Sequence, residues 1–107
     1  MDEKVIFVLY LVAPEPVYFV GPHGATSETF KTLCDTLIEP ATALASQRLS
    51  TQQLHFSDVG DSLADLLASH GFRKLEPRVK LAYQLHIDTT VLEPIVSMID
   101  EHNRHIK

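Results

Sequence analysis

The stretch Val17 to Phe30, Val-Tyr-Phe-Val-Gly-Pro-His-Gly-Ala-Thr-Ser-Glu-Thr-Phe, runs from a strand pattern through a glycine turn into a helix start. Val17 to Val20 are apolar without interruption and suit a short buried strand, and Thr26 or Ser27 can cap the helix that follows. Gly21 and Gly24 open backbone angles closed to other residues. A turn of this kind aims several backbone N–H groups at one point, where the unpaired amides of the first helical turn act together with the helix dipole. Gly21, His23, Gly24, Ala25, Thr26 and Ser27 are therefore a candidate cradle for a phosphate or another anion. The same pattern also serves as a plain strand-to-helix connection.

At 107 residues the chain is expected to form one domain around one core. Its 45% apolar and 21% charged residues are those of an ordinary globular protein, with no low-complexity block. Nine Lys and Arg against fourteen Asp and Glu give a net charge of −5, which argues against binding nucleic acid, since phosphate attraction needs a positive face. The apolar run Val5 to Val12 is far shorter than the ~20 residues that span a bilayer, so a soluble, cytoplasmic chain without membrane attachment is expected. The single cysteine, Cys34, rules out an internal disulfide and sits on the apolar side of a predicted helix.

Val5 to Val12 reads as a central strand covered on both faces, and the break at Pro14-Glu15-Pro16 predicts a hairpin with Val17 to Val20. Phe30, Leu33, Leu37, Ala41 and Leu44 recur at helical spacing from Thr26 to about Leu49, with a kink or restart expected at Pro40. Leu54-His55-Phe56 alternates like a short strand that turns His55 to solvent. Ser57-Asp58 is the expected cap of a helix that carries Val59, Leu63, Leu66 and Leu67 and ends at Gly71, with Phe72 packing back on its last turn. Arg78 to Ile87 alternates as a half-exposed strand, expected antiparallel to its neighbours. Thr89 to Ile106 is an amphipathic helix capped by Asp88 or a threonine and docked on the sheet. Thr36-Leu-Ile-Glu-Pro-Ala and Thr90-Val-Leu-Glu-Pro-Ile look alike, but their flanks do not match in register, so chance or a shared way of starting a helix at proline accounts for them. The expected fold is α/β (α+β): one domain with a mixed, mostly antiparallel sheet of four or five strands and three helices.

Few residues suggest chemistry. His23, between the glycines, is placed to touch a bound anion or act as a base, and as a turn residue it equally belongs in solvent. His102 and His105 could share a metal, but no third ligand completes the set, and a polar helix end explains them and His70. Arg73, Lys74, Arg78 and Lys80 form the basic cluster of an acidic chain, suited to a phosphate or to guarding a strand edge. No paired carboxylates, nucleophile elbow or phosphate-loop lysine supports a hydrolase or nucleotidase.

The order of hairpin, glycine turn, long helix, short strand, leucine-rich helix ending Leu66-Leu67-Ala68-Ser69-His70-Gly71-Phe72, and final strand resembles the C-terminal half of the GNAT-type N-acetyltransferase superfamily, over roughly Val5 to His86. Val20-Gly21-Pro22 before a helix looks like the second domains of tandem members. The resemblance implies that the turn holds the pyrophosphate of CoA or acetyl-CoA through backbone amides. It departs from the family where a tyrosine general acid is common and this chain has Leu67, and in lacking the N-terminal half that supplies much of the acceptor site. What it implies is therefore acyl-CoA binding without the usual acetyl transfer. The alternative is a noncatalytic interaction module, a homodimer or a partner's subunit, using a sheet edge or the apolar residues of Val91 to Ile99.

Overall fold

Val5–Val12 (β1) takes an inner position in the sheet, as its β-branched and aromatic run predicts. The computed structural model describes residues 5–12, 15–75 and 85–106. β1 pairs antiparallel with β2 (Glu15–Val20), so the expected hairpin is present, with Phe7 opposite Phe19 and a register shift between Tyr10 and Val12. Ser27–Arg48 (α1) and Phe56–Ala68 (α2) follow, then the two-residue strand β3 (Arg73–Lys74), β4 (Leu85–Thr90) and α3 (Leu92–Arg104). The four strands lie in the order β3-β2-β1-β4. Among the described residues the fold is thus α+β, with a mixed four-stranded sheet and three helices, as the sequence predicts.

Phe7, Leu9 and Leu11 of β1 and Phe19 of β2 enter one core with Phe30, Cys34 and Ala41 of α1, Val59, Leu63 and Leu67 of α2, and Ile95 and Ile99 of α3. Residues two apart on a strand share a face, so all three helices pack on the same side of the sheet. Ile6 and Val8, which point the other way, are also buried. β1 is therefore covered on both faces, which explains why it does not alternate with polar residues.

Several expectations are corrected. Leu54 to Phe56 is not a strand: Leu54 and His55 are irregular and Phe56 begins α2. The Leu54 backbone is satisfied instead by the Asn103 side chain, which accepts from its N–H at 2.6 Å and donates to its carbonyl at 3.1 Å. The α2 cap is His55, exposed as expected, and not Ser57-Asp58; Asp58 stands three residues on and its carboxylate accepts the His55 N–H at 2.8 Å. α1 runs as a single 22-residue helix through Pro40 without restarting. Thr36, whose carbonyl loses its helical donor to Pro40, is exposed, as is Pro40, so water can replace the missing bond. β4 runs parallel to β1, with Phe7 beside Ile87 and Leu9 beside Thr89, because alternation sets which residues share a face and leaves strand direction open. Arg78 to Gln84 of the predicted strand lie outside the described residues. Thr89 and Thr90 end β4, and α3 starts only at Leu92, after Val91, which caps it without a side-chain hydrogen bond. Pro94 falls in the first turn of α3 and Pro40 deep inside α1, so the two look-alike segments share no common way of starting a helix.

The end of α2 is as read from the sequence. Gly71 adopts φ +90°, its N–H reaches the Ala68 carbonyl at 3.1 Å, and the Phe72 N–H reaches the Leu67 carbonyl at 3.0 Å, the two bonds of a Schellman end. α3 docks on the domain through Ile95, fully buried, and Ile99. A carboxylate at position 95 has no partner there to offset its desolvation. Ile95→Asp is expected to destabilise the fold by more than about 4 kcal/mol, read as loss of the cooperative denaturant transition; a folded variant would place this face outside the core.

Candidate functional site

The glycine turn is built differently at its two glycines. Gly24 has φ +86° and nothing within 4 Å of where a side chain would begin, so it is there for its backbone angle. Gly21 shows no positive φ; a Cβ on it would lie 2.7 Å from Phe7 Cε2 and 2.7 Å from Phe72 Cε1. The expectation that both glycines serve backbone freedom is thus corrected for Gly21, which admits two rings. Phe7, Phe30 and Phe72 pack mutually at 4.8, 5.5 and 5.2 Å between centroids, joining β1, the start of α1 and the end of α2 behind the turn. Each such pair contributes about 0.5–1.5 kcal/mol beyond area burial.

Much of the turn's hydrogen bonding closes on itself. The Ala25 N–H donates to the Pro22 carbonyl at 3.1 Å across His23 and Gly24, which fits a turn with a left-handed third residue. Thr26 caps α1 as expected: its Oγ1 accepts from the Thr29 N–H at 3.2 Å, and the Thr26 N–H donates to Thr29 Oγ1 at 2.8 Å. The amides of Ala25, Thr26 and Thr29 are therefore taken. Those of Ser27 and Glu28, the first two of α1, meet no acceptor among the described residues. His23, Gly24, Thr26, Ser27 and Glu28 are exposed, while Gly21 and Ala25 are half-buried against the core. What remains for a ligand are the amides of His23 and Gly24 in the turn, likewise without an acceptor among the described residues, and the two open amides at the mouth of α1 beside exposed hydroxyls. Glu28 already sets a carboxylate against the helix dipole there.

The other singled-out residues disperse. Cys34 is fully buried, and burial, with a smaller push from the Asp35 carboxylate, raises its thiol to about 12. His102 Nε2 lies 3.1 Å from the Gln52 carbonyl, His105 pairs with Glu101 at 3.1 Å, and His70 Nδ1 lies 3.0 Å from the Leu66 carbonyl. Among the described residues no group of three or more His, Cys, Asp or Glu is arranged to hold a metal ion. Arg73 and Lys74 form β3 and are exposed, with Lys74 3.5 Å from Asp61; Arg78 and Lys80 lie outside the described residues. Of Val91 to Ile99, Val91, Ile95 and Ile99 are buried, and Val96, at 41% exposure, is the exposed large apolar residue among those described. No described helix is long and apolar enough to cross a membrane.

Asn103 carries no signal as a motif but has one as a position. It continues the Ile95 and Ile99 stripe at four-residue spacing, and a polar residue there needs a buried partner, which the Leu54 backbone provides. No family model matches the chain, and no curated protein or solved structure matches it either.

The two glycines should respond differently to alanine. Gly21→Ala must move buried rings and is expected to cost about 1–3 kcal/mol in chemical denaturation, whereas Gly24→Ala meets only backbone strain of about 1 kcal/mol. Cys34 has a pH signature. The folded chain keeps its thiol protonated as the unfolded chain ionises near pH 9, so stability is unaffected below that point and falls from there toward about 12. That alkaline decline should be steeper in the parent than in Cys34→Ala; equal slopes would mean that the thiol is solvated.

Proposed function

We propose that this chain is a noncatalytic binding domain that takes a small phosphate-bearing anion, of the CoA or acetyl-CoA class, at the Gly21–Ser27 turn. The observation that carries the reading is the pair of open amides, Ser27 and Glu28, at the exposed start of a 22-residue helix. The Thr26–Thr29 box holds that first turn in place before any ligand arrives, so little ordering remains to be done on binding. The resemblance to the GNAT-type fold supports a CoA-like ligand at a turn in this place. Catalysis draws no such support: Leu67, where the family commonly has its tyrosine acid, is fully buried, and the Cys34 thiol is held protonated inside the core. A homodimer built on α3 has less behind it, because Ile95 and Ile99 are spent on the domain's own core.

Ser27→Pro tests the proposal cleanly. Proline at the first helical position removes one of the open amides while suiting the helix, and the extended Thr26 backbone, φ −120° and ψ 168°, is what a residue before proline prefers. In a thermal-shift series with CoA, acetyl-CoA and pyrophosphate, the parent should be stabilised by millimolar ligand. Ser27→Pro should melt no lower than the parent without ligand and lose the shift. No stabilisation of the parent, or an undiminished shift in Ser27→Pro, would remove the proposal.

A further inference from the structure

At the opposite end of β2 from the glycine turn, a half-enclosed groove of about 260 Å³ separates the sheet from the start of α2. Leu11, Val17, Phe56 and Leu75 contribute its apolar walls. α2 and β1 approach closely beside it: a Cβ on Gly60 would come within 2.9 Å of Leu11 Cδ1. The polar groups gather at the rim. Lys74 Nζ lies 3.5 Å from Asp61 Oδ1, with the two side chains 46% and 71% exposed. A pair so long and so open contributes little and is readily exchanged for a better partner. The first turn of α2, at Phe56 and Ser57, lines the same groove and brings the positive end of the helix to it.

We propose that this groove binds a small apolar carboxylate, with its hydrocarbon or aromatic body between Leu11, Val17, Phe56 and Leu75 and its carboxylate on the Lys74 ammonium at the rim. This goes beyond the anion reading of the glycine turn and does not depend on it. The apolar walls disfavour a polyphosphate or sugar, which carries more polar groups than the few at the rim can pair. Against a cation stand the Lys74 ammonium and the helix end, opposed by the single carboxylate of Asp61 in the lining. Asp61 competes with the ligand for Lys74, which gives the site an internal control: removing that carboxylate should strengthen binding, whereas removing the ammonium should weaken it.

Titration with 3-phenylpropionate, followed through the backbone amide resonances, tests the site, with 3-phenylpropionamide as the uncharged counterpart. At millimolar ligand the amides of Phe56, Ser57, Gly60 and Leu75 should shift, and the amide analogue should bind several-fold more weakly. Lys74→Met should weaken the carboxylate several-fold and Asp61→Asn should tighten it. Both side chains are exposed, so an otherwise unchanged spectrum certifies the fold of each variant. The proposal is overturned if none of these amides moves, if acid and amide bind alike, or if Lys74→Met leaves affinity unchanged. Shifts confined to Ser27 and Glu28 would equally overturn it while favouring an anion at the glycine turn.

Discussion

The domain is gathered around a ring cluster that tolerates nothing where it meets Gly21. Phe7 from the inner strand, Phe30 from the first turns of α1 and Phe72 just past the end of α2 come together against a backbone with no side chain. Three segments far apart in sequence are located by that contact, and the strand-to-helix turn rides on its outer surface. Native cores pack at crystal-like density, so a single methyl group at this point displaces rings that have nowhere to go. The exposed mouth of α1 is held in place from behind by this cluster and from within by the Thr26–Thr29 box.

What could be read from the sequence was what neighbouring residues decide among themselves. The β1–β2 hairpin, the Thr26 cap and the Gly71-Phe72 helix end are local patterns with local causes, and each appears where its residues put it. What escaped depends on segments brought from elsewhere. Leu54 reads as strand because Leu54-His55-Phe56 alternates, yet its backbone is paired by a side chain distant in sequence. The direction of β4 beside β1 is equally nonlocal, since parallel and antiparallel neighbours bury the same face. Gly21 is the sharpest case: its sequence context suggested an unusual backbone angle, and only the arrival of Phe7 and Phe72 shows that the requirement is for empty space.

The same distinction separates the two candidate sites, the glycine turn and the groove by α2. At the glycine turn the candidate residues are legible, but the Ala25 and Thr26 amides are taken by the Pro22 carbonyl and the Thr29 hydroxyl, leaving fewer donors than the glycines suggest. The groove by α2 was invisible beforehand, because its walls come from β1, β2, β3 and α2 and no stretch of chain contains more than a fragment of it. Local motifs thus point to backbone-lined sites, and side-chain-lined sites emerge only once the fold has assembled them.

The Asn103 pin on Leu54 also bears on how the chain acquires its form during synthesis. In the connection between α1 and α2 the Leu54 N–H and carbonyl are satisfied by a residue made long after them, and the second edge of β1 is paired by β4, also made much later. Closing such long loops is entropically slow compared with forming the helices themselves. Both contacts join residues 49 or more positions apart in sequence, so neither the α1–α2 connection nor β1 is fully paired by its own neighbourhood. The last turns of α3, through Asn103, thus act as a clasp on the α1–α2 connection, holding a loop that has no strand partner of its own.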